Sequence, residues 1–264
     1  MVLMSSSLSS ISSLNWPKRL RAAGIHFLSC LTAAACVAAL VLLVWYPWPY
    51  RIISGGEDLL VLLMMVDVVM GPLITLAIFD VRKPRTELRR DLTVVVVLQL
   101  AALGYGLYAV YMSRPVVLAL EIDRFRVTTA VGVAEAELPL APPPFRSLSV
   151  MGPRLVDVNL PDDKDKFDAI MKGMAGLDLG ARPKYWREWD AKSRHSTLNA
   201  GRPVTDWLAT HPEAEDDIRS AVKRTGRPVA QLLYLPMLAR RTDWSVLIDK
   251  TTGDPVGFAP IDAN

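Results

Sequence analysis

Three long apolar runs fill the first part of this chain. The pattern then changes to short alternating runs separated by charged stretches. The apolar runs extend from about Ala22 to Trp45, Leu59 to Phe79 and Leu92 to Met112. Each is about 20 residues long, and at ~1.5 Å of rise per residue each crosses a hydrocarbon core of ~30 Å. A segment inside lipid must satisfy its own backbone hydrogen bonds, so the runs predict three transmembrane α-helices over 22–45, 59–79 and 92–112. Residues 1–21, Ser-rich at the start and without periodicity, read as a disordered cytoplasmic N-terminus, or the true start lies later.

Flanking cations set an expected orientation. Lys18, Arg19 and Arg21 precede the first span, and Arg82, Lys83, Arg85, Arg89 and Arg90 stand between or at the ends of the second and third. The first loop holds only Arg51. The positive-inside rule then places the N-terminus and second loop in the cytoplasm, and the first loop and residues 113–264 outside. Trp45, Tyr46, Trp48 and Tyr50 read as an aromatic belt at the outer end of the first span, and Tyr105, Tyr108 and Tyr111 climb the outer half of the third. Ala33-Ala34-Ala35-Cys36 vaguely matches a lipoprotein cleavage box, but the residues after Cys36 stay apolar where a mature lipoprotein turns polar. Cys30 and Cys36 lie six apart on one helix, too far for a disulfide, and read as helix-packing residues.

Beyond Arg114 the spacing predicts a small α+β domain with an antiparallel sheet and helices on one side. Val116, Leu118, Leu120 and Ile122 alternate as in a strand, and Ser147–Leu160 reads as a strand interrupted by Gly152-Pro153. Phe167, Ile170, Met171 and Met174 share one helical face, with Asp162 as its cap. A helix over Thr210–Thr225 is stopped by Gly226. The tail holds three strands, the last two joined by a short loop with Gly253 placed for positive φ.

Charge sharpens this division. Residues 1–113 contain 9 Lys/Arg and 6 Asp/Glu, while residues 114–264 contain 21 of each. The outer domain has no basic excess for neutralising phosphates, so nucleic acid is not an expected partner.

Asp67 is the exception in the apolar part. A carboxylate in mid-span costs ~2.5–3.5 kcal/mol on insertion scales, so it must be protonated, paired or facing a polar cavity. Three readings stay open: glue between helices, a docking point for another transmembrane helix, or ion conduction. Gln99 and Tyr105 fall within reach of its depth. Pro72 lacks an N–H, so the carbonyl of Val68 loses its partner and the helix is expected to kink after Gly71. Asp67, Gly71, Pro72, Gln99 and Tyr105 are therefore the candidate intramembrane docking residues.

The outer domain offers little chemistry. It has no HExxH, Cys/His cluster, GxSxG elbow or phosphate loop. Asp162-Asp163-Lys164-Asp165 contains an Asp-x-Asp spacing that can hold a metal, but at a helix start such acids more often serve the dipole. Tyr185, Trp186 and Trp189 either stack a ligand or fill a core. The residues alone predict a membrane-anchored, extracytoplasmic, non-enzymatic domain with no cofactor and no metal.

Several segments carry a family resemblance: Lys18–His26, Val66–Phe79, Glu87–Asp91, Val116–Thr129, Tyr234–Arg241 and Val246–Asp262. Together, and in this order, they resemble the type IV pilin accessory proteins of the TfpX/TfpZ family. The resemblance implies a protein of the bacterial inner membrane with a periplasmic domain. It implies a role in type IV pilus biogenesis alongside a type IV pilin, the cell's major pilin, and the pilus assembly machinery. It supplies no catalytic residue. A membrane-anchored sensor or adaptor, and a pilin-modifying transferase, are the alternatives.

Overall fold

A computed structural model of the chain describes residues 16–80, 82–241 and 244–262. The expectation for Met1–Ser13 lies outside the described residues. The chain forms two compact units. One comprises the bulk of the three apolar helices; the other combines residues 42–57 with everything from Tyr111 onward.

In the first unit, helix α1 (Trp16–Leu40) continues through a π-helical turn at Val41–Trp45. Residues 16–21, expected to be disordered, are thus its first turns. The second span is built in three pieces. After the short helix α2 (Tyr50–Ile53), α3 (Gly56–Met65) leads into a π turn over Val66–Met70, and α4 (Gly71–Ile78) completes the span. The third span is α5 (Arg85–Met112). All three are long and apolar enough to cross a membrane. The expected kink takes the form of the π turn. Pro72 cannot donate to the Val68 carbonyl, and a wider turn absorbs that lost bond immediately ahead of it. Arg19 pairs with Asp80 at 3.2 Å, joining the start of α1 to the end of α4.

The second unit is an α+β domain, but its sheet is mixed rather than antiparallel. The strands are β1 (Pro115–Glu121), β2 (Arg124–Thr129), β3 (Arg154–Val158), β4 (Trp186–Arg187), β5 (Arg202–Pro203), β6 (Leu232–Leu238), β7 (Trp244–Asp249) and β8 (Pro255–Ala259). They run in the order β4-β3-β1-β2-β6-β7-β8, with β5 also paired to β6. β1 is parallel to β3, and β2 to β6; the other pairings are antiparallel. The strand expected over 147–160 is confined to β3, which begins only after Gly152-Pro153.

Helices cover both faces of the sheet, not one. Leu118, Leu120, Leu235 and Val246 share a cluster with Tyr50 and Ile53. The neighbouring positions Leu232, Tyr234 and Leu247 pack with Val204 and Ile218. Those two residues come from α8 (Val204–Thr210), which the sequence pattern did not suggest, and α9 (Glu215–Thr225), to which the helix expected over 210–225 is shortened behind a tight turn at Pro212–Ala214. Burial on both faces explains why every residue of β1 is buried, not every second one.

Two more helices complete the domain. α6 (Lys166–Met174) begins after Asp165, not Asp162, whose carboxylate instead accepts from the Asp165 N–H. Its apolar face is turned outward, with Phe167 74% and Met174 81% exposed, against the expectation that it packs on the sheet. α7 (Ala191–Ala200) is closed by a capping box of Asp190 and Ser193. The β7–β8 turn docks on it: Thr197 Oγ1 donates to Gly253 O, and Asp254 accepts from Trp189 Nε1 and Arg194 Nε. Gly253 takes the positive φ expected of it, and Gly226, expected to stop its helix, does so with a positive φ as well. Ile122, in the β1–β2 turn, does so as well at φ 57°, a backbone region that costs a β-branched residue roughly 1–3 kcal/mol.

Candidate functional site

The site grows from the antiparallel arrangement of the second and third spans. Two glycines set their approach. A Cβ added at Gly106 would stand 2.3 Å from Leu63 Cδ1, and one at Gly71 would stand 1.9 Å from Gln99 Nε2. Small residues therefore let the helices close at two levels. Between those levels lies Asp67, inside the π turn.

A lateral groove of about 580 Å³ opens there, lined chiefly by aliphatic side chains such as Val66, Leu98 and Leu103, with Asp67 and Gln99 among them. Lys83 and Asp91, paired at 2.7 Å, stand at one end. Gln99 donates to the backbone carbonyl of Asp67 at 3.5 Å and to Cys30 Sγ at 3.8 Å. Its own Oε1 is buried without a donor. The Asp67 carboxylate receives no hydrogen bond from the described residues, and with Gln99 it also lines a second recess that holds His26 and Cys30. The groove thus carries two acceptor groups in apolar surroundings, where an unpaired polar group is costly.

Four of the five candidate residues therefore gather: Asp67, Gly71 and Gln99 line the groove, and Pro72 is buried beside them. Tyr105 does not join. It is 76% exposed and lines neither recess. Six residues separate it from Gln99, which is ~240° around a helix of 3.6 residues per turn, so similar depth does not bring the phenol to the carboxylate. The sequence reading missed the link between His26 Nδ1 and Thr75 Oγ1, hydrogen-bonded at 2.5 Å. Its signal was available: two polar side chains inside apolar spans each need a partner.

The second unit holds the loop between the first two spans. Gly152 N donates to Val44 O at 2.9 Å, and Arg241 N to Ile53 O at 3.1 Å. Trp48 sits edge-on to Trp244 and Phe258, under the guanidinium of Arg224 at 4.5 Å. Tyr46 and Tyr50, expected in an interfacial belt, are buried, which pushes both phenols well above their ordinary range. Arg114 lies over the Tyr111 ring and donates to Ser149 O, fixing the start of the sheet to the end of the third span.

The other candidates resolve into structural roles. Trp186 is buried with its Nε1 donating to Gly180 O, and Trp189 stacks on Phe125, so both fill the core. Asp165 pairs with Lys184, and Asp168 with the buried Arg182. Among the described residues no three His, Cys, Asp or Glu side chains are grouped to hold a metal.

Residues 14–55 match the family model described as fimbrial assembly protein FimB. The chain is similar to a fimbrial assembly protein of serogroup I from Dichelobacter nodosus, 31% identical over 229 residues, covering 86% of this chain and 89% of the relative. A serogroup E1 protein of the same organism is 29% identical over 229 residues, with the same coverage. Another, of serogroups C1 and C2, is 40% identical over 118 residues, 45% of this chain and 90% of that one. No solved structure matches. The resemblance drawn from the sequence thus holds at the level of fimbrial assembly proteins, and these matches do not single out the TfpX/TfpZ type.

Proposed function

The chain belongs to the fimbrial assembly protein family, and from that premise we propose that it is a non-enzymatic accessory factor of the TfpX/TfpZ type that holds a cognate pilin before its incorporation into the pilus. Pilins wait in the inner membrane as single apolar helices with an outer globular head. The observation that carries the reading is the lateral groove at Asp67 between the second and third spans. It is long, apolar and open enough for one more helix, and it presents unpaired acceptors that lipid tails cannot satisfy. The outward apolar face of α6 supports a second contact, to the pilin head. Two weak contacts carried by one anchored protein raise effective concentration without a strong site.

In this reading the groove end marked by Lys83 faces the cytoplasm, and the α+β domain stands in the periplasm. The cations flanking the first span and filling the second loop support that orientation. A reporter fused behind Asn264 and active only in the cytosol would overturn it. The main test replaces Asp67 by Asn and by Leu, then measures pilin co-purification and surface piliation. Loss of both in Asp67→Leu, with partial retention in Asp67→Asn, is expected. Unchanged values for both variants would confine Asp67 to internal helix contacts.

A further inference from the structure

Two loops of the α+β domain are tied to the ends of membrane spans. Arg114, just beyond the last residue of the third span, gathers both. Its carbonyl accepts from the Ala130 N–H at 2.9 Å. Its Nε donates to Ser149 O at 3.1 Å, and its Nη1 donates back to Tyr111 O at 2.7 Å. The second loop also holds the first span, because Gly152 N donates to Val44 O in the π turn that closes that span. Trp45 and Tyr111, one from each span, meet edge-on with ring centroids 5.0 Å apart.

Depth follows from these ties. Consecutive Cα atoms are ~3.8 Å apart. Val131 follows Ala130, and Val150 and Met151 lie between Ser149 and Gly152, so each is one step from a residue bonded to a span end or to Arg114. The headgroup layer on each side of the hydrocarbon core is about 5–7 Å thick, so tips tied this closely to span ends lie within it. Strand register agrees. Arg154 of β3 stands beside Val117 of the parallel β1, and counting back along both strands brings Met151 to about the level of Arg114.

The side chains at these tips suit lipid. Met151 is 79%, Val131 63% and Val150 51% exposed, and none of them belongs to a core cluster. Residues 138–156 contain the cations Arg146 and Arg154 and no Asp or Glu. Arg146 donates to Ala141 O, and Arg154 to Pro144 O and Ser147 O. Neither meets a carboxylate among the described residues, so their charge is left for a partner outside the protein. A guanidinium beside an apolar tip matches the phosphate and acyl parts of one anionic phospholipid.

We infer that the α+β domain rests on the bilayer through these two loops. Val131, Val150 and Met151 enter the acyl boundary, and Arg146 and Arg154 take the phosphates of anionic phospholipids. The contact is the same on whichever side of the membrane the domain lies, and it depends neither on the intramembrane groove nor on the pilin reading.

The test uses the full chain with Cys30→Ala and Cys36→Ala, in phosphatidylcholine nanodiscs with and without phosphatidylglycerol. Nitroxide labels are placed through Val131→Cys, Met151→Cys and, as an exposed control on α9, Asp216→Cys. Power-saturation paramagnetic resonance reads their collisions with oxygen, which enters lipid, and with a water-soluble nickel chelate. A ratio of oxygen to nickel collisions at 131 and 151 about fivefold or more above that at 216 is expected, as for interfacial segments. Phosphatidylglycerol should raise the ratio at 151 severalfold, and Arg146→Gln with Arg154→Gln should remove that rise. Ratios at 131 and 151 equal to that at 216 would leave the tips in water, and labels shielded from both reagents would mean that protein covers them. Either result overturns the contact. A ratio indifferent to phosphatidylglycerol, or a rise that survives both arginine substitutions, would overturn the assignment of the phosphates.

Discussion

Trp48→Ala tests whether the loop between the first two spans is part of the α+β domain's core. Trp48 is 37% exposed, so about two-thirds of the indole is buried. At ~250 Å² for a fully buried indole, that is roughly 160 Å², worth about 4 kcal/mol at ~25 cal/mol per Å² and less once a compact unfolded chain is allowed for. Alanine keeps part of that area. Against this, the edge-on contacts to Trp244 at 6.3 Å and Phe258 at 6.2 Å are lost, together with the Arg224 guanidinium. The rings add ~0.5–1.5 kcal/mol each and the cation ~0.5–1 kcal/mol. A net loss of about 3–5 kcal/mol follows, in the range of other large aromatic truncations. For a domain of this size that lowers the midpoint on the order of 10 °C. Near-ultraviolet circular dichroism of the detergent-solubilised protein reads the midpoint, and trypsin cleavage at Arg51 reads release of the loop. Arg224→Ala should cost only ~0.5–1 kcal/mol, and adding it to Trp48→Ala should cost little more. An unchanged midpoint together with unchanged cleavage at Arg51 would refute the reasoning.

Other outcomes follow from the same structure. Gly253→Ala would force a left-handed φ of 78° on alanine and place its Cβ 2.5 Å from Arg194 O, so a loss of ~2–4 kcal/mol and a lower thermal midpoint are expected. Gly71→Ala should expel the Gln99 amide from its seat and weaken the approach of the second and third spans by ~0.6–1.7 kcal/mol, read as unfolding at lower dodecyl sulfate fraction. Acid should destabilise the α+β domain. The Ser193 N–H and Arg187 hold Asp190 down at about 2. Burial resists ionisation of Asp254, but hydrogen bonds from Trp189 and Arg194 overcome it and hold that carboxyl below its ordinary range. A depressed folded pKa gives stability that is complete above the unfolded value of ~3.9 and is lost as pH falls towards 2. Tryptophan fluorescence melts should therefore be flat from pH 8 to 5 and fall below about pH 4, with a shallower fall in Asp190→Asn.

The spans were legible because lipid leaves a chain one local solution, and length and composition reveal it. The β6, β7 and β8 tail was legible for a similar reason: its pairings are local and marked by Gly253. The parallel pairings of β1 with β3 and β2 with β6 were not, because register between distant strands leaves no local signature. α7 was missed since AKSRHSTLNA has no apolar period, and its helix rests on the Asp190–Ser193 capping box and on contact with the β7–β8 turn. The face of α6 was seen but placed wrongly, because periodicity identifies a stripe without saying what covers it. In the groove, depth along antiparallel spans brought Asp67, Gly71 and Gln99 together, while azimuth, which depth alone does not fix, removed Tyr105.

The loop at residues 42–57 shows how far one misreading reaches. Its Tyr and Trp residues suit an interfacial belt, yet Tyr46, Tyr50 and Ile53 are buried and two of them join the cluster beneath the sheet. Because residues 42–57 fold into one unit with the chain beyond Tyr111, both segments lie on the same side of any bilayer. An even number of crossings must then separate them, so the runs over 59–79 and 92–112 cross together or not at all. The expectation from apolar length and flanking cations that these two segments share one side thus gains a second basis in the hydrogen bonds from Gly152 to Val44 and from Arg241 to Ile53, neither of which depends on hydropathy.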